Sequence, residues 1–143
     1  MNKANFFWIA LLSGALLNCA PVRRAVDGTT KKFCGKYYVV EKFKVEAGAE
    51  TGYKGETNYT INLLPGAKDE EIVIEKFANS YKVNAGIKGD SLAIPLQKFS
   101  YRENPVFISG GGKFTADTLY YHYSSGGPAG RINCECKAVR SNK

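Results

Sequence analysis

From Lys36 to Val139 the chain alternates apolar and polar residues again and again, with turn-forming residues between the runs. A period of two is the signature of a strand with one buried face, and it leaves no room for an amphipathic helix, whose period is 3.6. Lys36–Val45 sets Tyr37, Val39, Phe43 and Val45 on one face, and Glu56–Leu64 sets Tyr59, Ile61 and Leu63 together. Glu70–Phe77 carries Ile72 and Ile74, with Val73 opposite, and Tyr81–Lys88 carries Tyr81, Val83, Ala85 and Ile87. Ser91–Phe99 directs Leu92, Ile94 and Leu96 inward, with Pro95 suited to an edge or a bulge. Pro105–Phe114 has Val106 and Ile108, then Gly110-Gly111-Gly112, which permits a strand to bend. Asp117–Ser124 sets Leu119, Tyr121 and Tyr123 against Tyr120 and His122, and Gly130–Val139 aligns Ile132, Cys134, Cys136 and Ala138.

Eight short strands at even spacing predict an all-β fold, and the short links favour pairing between neighbours in sequence. The expected architecture is an up-and-down antiparallel meander barrel over residues 33–139, with the first strand beside the last. Closure removes exposed edges, and a barrel of this strand number either fills with side chains or holds one small ligand.

Ahead of this domain, Phe6–Leu17 is apolar apart from Ser13 and Gly14, and Lys3 precedes it. The run is shorter than the roughly 20 residues needed to span a bilayer and has the length of a signal-peptide core. It ends in Leu16-Leu17-Asn18-Cys19, which resembles the lipobox of bacterial lipoproteins. That resemblance implies removal of residues 1–18 and lipidation of Cys19 with two or three acyl chains such as palmitate, enough for stable anchoring. Residues 19–32 are polar and aperiodic and read as a tether, and residues 140–143 as a tail. Ala20-Pro21-Val22-Arg23-Arg24 lacks the acidic residues that in the resembling group accompany export to the surface, so the domain is expected to face the periplasm from the outer membrane. The formal charge is +7, with the cations scattered rather than clustered, which argues against a nucleic-acid partner.

The ordered pieces Gly35-Lys36-Tyr37-Tyr38, Asn58-Tyr59-Thr60-Ile61-Asn62, Ile72 to Phe77, Leu92-Ala93-Ile94-Pro95-Leu96-Gln97, Ile108 to Gly112 and Thr118 to Tyr123 resemble the small lipocalin-like (calycin-type) envelope lipoproteins of Bacteroidetes-type bacteria. The likeness implies a fold and a location, and no activity.

With Cys19 lipidated, Cys34, Cys134 and Cys136 remain, in an oxidising compartment that favours a disulfide. Cys134 and Cys136 stand about 6.5–7 Å apart along one strand, near the limit for bonding each other. Cys34 is therefore expected to pair with Cys136 or Cys134, joining the first strand to the last. Its parity is opposite to that of Tyr37 and Val39, which a bulge at Gly35 would correct.

Catalytic patterns are lacking in the sequence. There is one histidine, His122, and the Ser109 segment is not the Gly-x-Ser-x-Gly elbow of a hydrolase. No cofactor, metal or catalytic residue is expected. Nine tyrosines and eight phenylalanines are the distinctive enrichment, and tyrosine offers an apolar body with a polar tip. Glu41 sits among the apolar positions of its strand, a candidate either to face inward and bind a ligand, with Tyr59, Tyr121 and Tyr123 as further candidates, or to stand near the barrel rim in water. The expectation is a non-enzymatic binding module for a small apolar or amphipathic ligand or an envelope protein, with an inhibitor or accessory protein as the alternative.

Overall fold

The computed structural model describes residues 30–142; the expected signal segment, Cys19 and most of the expected tether lie outside the described residues. Eight antiparallel strands follow one another around a closed barrel: β1 Gly35–Ala47, β2 Lys54–Pro65, β3 Glu71–Phe77, β4 Tyr81–Lys88, β5 Ser91–Tyr101, β6 Asn104–Thr115, β7 Thr118–Gly127 and β8 Gly130–Arg140. Each strand pairs with its sequence neighbours, and β8 closes on β1 through the register Tyr37↔Arg140 to Val45↔Ile132. The meander inferred from alternation is thus the fold, with first and last strands paired.

Short links make this possible. Arg102-Glu103 joins β5 to β6 and Ala116 lies between β6 and β7, each with positive φ (45°, 69° and 52°). Such left-handed turn residues match the twist of the strands they join.

The two ends of the barrel differ. A 3-10 turn, Lys31–Phe33, folds across the end where β1 begins, taking in Lys31 and Lys32 of the expected tether. Phe33 stacks on Phe114 with ring centroids 4.1 Å apart, and the Tyr37 hydroxyl donates to the Phe33 carbonyl at 2.9 Å. Arg140 at the end of β8 donates to the Lys32 carbonyl and, from Nη2 at 2.9 Å, to the Tyr37 hydroxyl. This end is plugged. At the other end, where β1 runs into β2 and β7 into β8, Val45, Tyr81, Val106 and Ile132 are only half-buried. They line an open recess of about 550 Å³.

Two expectations are corrected. Leu96 does not face inward; it is 70 % exposed. The register shifts between Ile94 and Gln97, so one extra residue on β5 turns the side chains beyond Pro95 over, and Phe99 rather than Leu96 packs on the core. The expected disulfide is not formed either: Cys34, Cys134 and Cys136 are free thiols. Cys34 precedes β1 at the plugged end, whereas Cys136 sits opposite Glu41 and Cys134 opposite Phe43, well along the strand. At about 3.3 Å per residue that separation is far beyond a disulfide's reach. The thiol of Cys34 donates instead to the Thr30 carbonyl at 3.4 Å.

Candidate functional site

The middle of the barrel holds a buried acid. Glu41 is 5 % exposed on β1, flanked by Thr57 on β2 and Cys136 on β8. Its inward direction follows from strict alternation with Tyr37 and Val39, which are also buried. Tyr59, two residues along β2 from Thr57, donates its hydroxyl to Glu41 Oε2 at 2.6 Å. Tyr123 on β7 donates to the same oxygen at 2.9 Å, and the Cys136 thiol does so at 3.7 Å. The Tyr59 and Tyr121 hydroxyls lie 3.2 Å apart. Because the single Tyr59 proton is committed to Glu41, Tyr121 is the donor in that pair.

All four residues singled out from the sequence, Glu41, Tyr59, Tyr121 and Tyr123, therefore meet in one hydrogen-bonded cluster spanning β7, β8, β1 and β2. Cys134 and Cys136 complete its wall. Burial, above all, pushes the hydroxyls of Tyr59, Tyr121 and Tyr123 well above the ordinary phenol range. It pushes the Cys134 thiol up to about 12 and raises Cys136 as well, with the Glu41 charge adding to both. These groups stay protonated, and Tyr59, Tyr123 and Cys136 donate to the acid while Tyr121 donates to Tyr59. His122, by contrast, points outward on β7.

Local sequence makes room for the rings. Gly110 and Gly112 on β6 stand directly opposite Tyr123 and Tyr121. A Cβ on Gly110 would run into the His122 carbonyl and Tyr123 Cα, and one on Gly112 into the Tyr120 carbonyl and Tyr121 Cβ. The glycine run thus serves close approach of β6 to the tyrosine-bearing strand.

Phe77, not singled out by the sequence, covers the cluster. It is fully buried, with its ring centroid 5.8 Å from that of Tyr121 and 4.7 Å from that of Tyr123. It ends β3 just before a turn, where alternation no longer signals direction. Gln97 was likewise hidden. Its side chain accepts from the Asn84 amide at 2.9 Å and donates to the Asn84 carbonyl at 2.8 Å, standing in for a peptide unit between β4 and β5.

Chemically, the cluster offers one carboxylate, three phenols and several aromatic faces in an environment sheltered from water. The ion pairs Lys32–Asp90, Lys44–Glu46, Lys82–Glu75 and Arg140–Asp117 lie elsewhere, and the donors to Glu41 among the described residues, Tyr59, Tyr123 and Cys136, are all neutral. No group of three or more histidine, cysteine or acidic side chains suited to a metal ion occurs among the described residues. In comparisons with known proteins, no family model, no curated protein and no solved structure matches this chain.

Proposed function

We propose that this chain is a non-enzymatic binding protein of the bacterial cell envelope, lipocalin-like and anchored through lipid on Cys19, that holds a small apolar or amphipathic ligand at the open end of its barrel. The observation that carries this reading is the recess of about 550 Å³ at the mouth, lined by the half-buried Val45, Tyr81, Val106 and Ile132. A barrel plugged at one end and open over apolar side chains at the other is a vessel for a ligand with apolar surface.

The anchor fits the same picture. The chain enters the barrel at the plugged end, through Thr30 and the 3-10 turn. Ten residues, 20–29, separate Cys19 from Thr30, and fully extended they reach about 35 Å. A lipid on Cys19 therefore leaves the mouth free to face away from the outer membrane, toward the periplasm.

A protein partner is the second reading, favoured by one observation. Leu96 and Phe107, 70 % and 40 % exposed, both lie on the outer wall formed by β5 and β6, where Phe107 stands opposite Lys98. With Pro105 and Pro128 they line a groove of about 730 Å³.

The test is native mass spectrometry of the protein extracted from envelopes. A small molecule retained by the wild type and lost when Val106 is replaced by Glu supports the vessel. Protein bound only to other polypeptides, and released by Leu96→Glu, supports the second reading instead.

A further inference from the structure

The wall of the barrel is not uniformly sealed. β3 pairs with β2 only from Asn62↔Glu75 to Pro65↔Ile72, and β4 with β5 only from Gly86↔Ala93 to Lys88↔Ser91. All of these pairs lie at the plugged end. Toward the mouth, the β3–β4 hairpin carries no ladder to either neighbour; the Gln97 side chain clasps it to β5 by hydrogen bonds, and the Tyr81 ring packs on Phe99 with centroids 5.0 Å apart. Its own pairing breaks between Ile74 and Phe77, and Lys76, Ala78 and Asn79 all adopt positive φ (58°, 47° and 61°). The tip of this hairpin bears Phe77, the ring that lies over Tyr121 and Tyr123. The segment of wall with the shortest ladders to its neighbours thus carries the ring packed against Tyr121 and Tyr123.

The acid itself lacks a counter-charge among the donors described above. A buried carboxylate is ordinarily paired with a cation or metal, because neutral donors offset only part of its desolvation. Tyr123 reaches it through its hydroxyl, and the rings of Tyr123 and Tyr121 pack on Phe77 with centroids 4.7 and 5.8 Å away, a cluster of aromatic rings of the kind that attracts an organic cation. Val45 and Ile132, on the same strands as Glu41 and Cys134, lead from this level to the apolar mouth.

We propose that Glu41, Tyr59, Tyr121 and Tyr123 form the head-group site for an organic ammonium ion carrying a short apolar tail, which enters from the mouth as the β3–β4 hairpin carries Phe77 aside. The ammonium takes the place of the Phe77 ring against the tyrosine faces and donates to the Glu41 carboxylate, and the tail lies along Val45 and Ile132. This deepens, and rests on, the binding reading above.

Hexylamine and hexanol, alike in tail and different in charge, separate the two claims. The full-length protein is embedded in zwitterionic nanodiscs and titrated with each probe by calorimetry, with the Glu41 side-chain carboxyl carbon followed by NMR. The expected result is at least tenfold tighter binding of the amine, with a shift of the Glu41 carboxyl resonance that the alcohol does not produce. Glu41→Gln is expected to abolish the preference while hexanol still binds, and Gln97→Ala to speed amine association. Equal binding of both probes with an unmoved Glu41 resonance overturns the cation site while leaving the apolar vessel standing. Binding of neither probe overturns both. The wild-type comparison stands without any variant, so a failure of Glu41→Gln to fold does not remove the test.

Discussion

A single buried carboxylate organises the interior, and its energetics can be read residue by residue. Glu41→Ala leaves the hydroxyls of Tyr59 and Tyr123 without their acceptor and opens a cavity between β8 and β2. Unsatisfied donors and a void together imply a loss of about 2–5 kcal/mol. Glu41→Gln retains an acceptor oxygen and should lose less, about 1–2 kcal/mol. Urea unfolding of the two variants checks the order; equal losses would mean that the hydrogen bonds to the acid contribute little. The cysteines give a second prediction at this scale. Alkylation of the unfolded protein should modify Cys34, Cys134 and Cys136 alike, whereas in the native barrel Cys134 and Cys136 should resist, being buried and held as thiols. A mass spectrum showing any pair protected after unfolding would restore a disulfide. Alternation was enough to send Glu41 and the three tyrosines inward. It was not enough to place the cysteines, because pairing depends on which residue of β8 opposes which residue of β1, and a period of two carries no register.

Among the elements, β5 is where local pattern and final structure part. Five residues of alternation predict Leu96 inside, yet the extra residue near Pro95 reverses the faces beyond it. Pro95 itself hinted at a bulge; the consequence for Leu96 and Gln97 was not legible, because a bulge's exact position depends on the partner strand. The result is a clasp where a ladder is missing. Gln97→Ala removes both bonds to the Asn84 backbone and the bond to the Pro95 carbonyl. Each is partly exposed, so the expected cost is about 1 kcal/mol rather than the sum of three buried bonds. Local opening should respond more than global stability. Hydrogen exchange at Val83 and Asn84 should accelerate, while amides in the fully paired β7 and β8 change only by the global loss. Uniform acceleration across the barrel would show that the β3–β4 hairpin does not open on its own.

At the scale of the whole molecule, closure ties the ends and the interior into one cooperative unit. The plug was missed in the sequence because Phe33 stands outside any alternating run, and nothing local tells that its ring reaches Phe114, on β6. The barrel itself was legible because every strand repeats the same period and every link is short. Closure also concentrates titratable donors in one interior, and this gives the molecule a direction of pH sensitivity. Thiols ordinarily titrate near 9.0 and phenols near 10.0. In the folded barrel, burial holds Cys134 protonated up to about 12, and holds Cys136, Tyr59, Tyr121 and Tyr123 protonated beyond their ordinary ranges. Below the ordinary thiol value both folded and unfolded chains keep these protons, so the groups contribute no slope. Above it the unfolded chain releases protons that the native barrel retains, and stability must fall as pH rises. The fall should begin at about pH 9 with the thiols and steepen past about pH 10 as the phenols join. Urea midpoints measured from about pH 8 to about pH 11 should therefore decline throughout the upper range, and Cys134→Ala should flatten the first part of that decline. A midpoint that holds level up to about pH 11 would mean that water reaches the interior donors in the native state, and that the barrel is open at the level of Glu41 rather than only at its mouth.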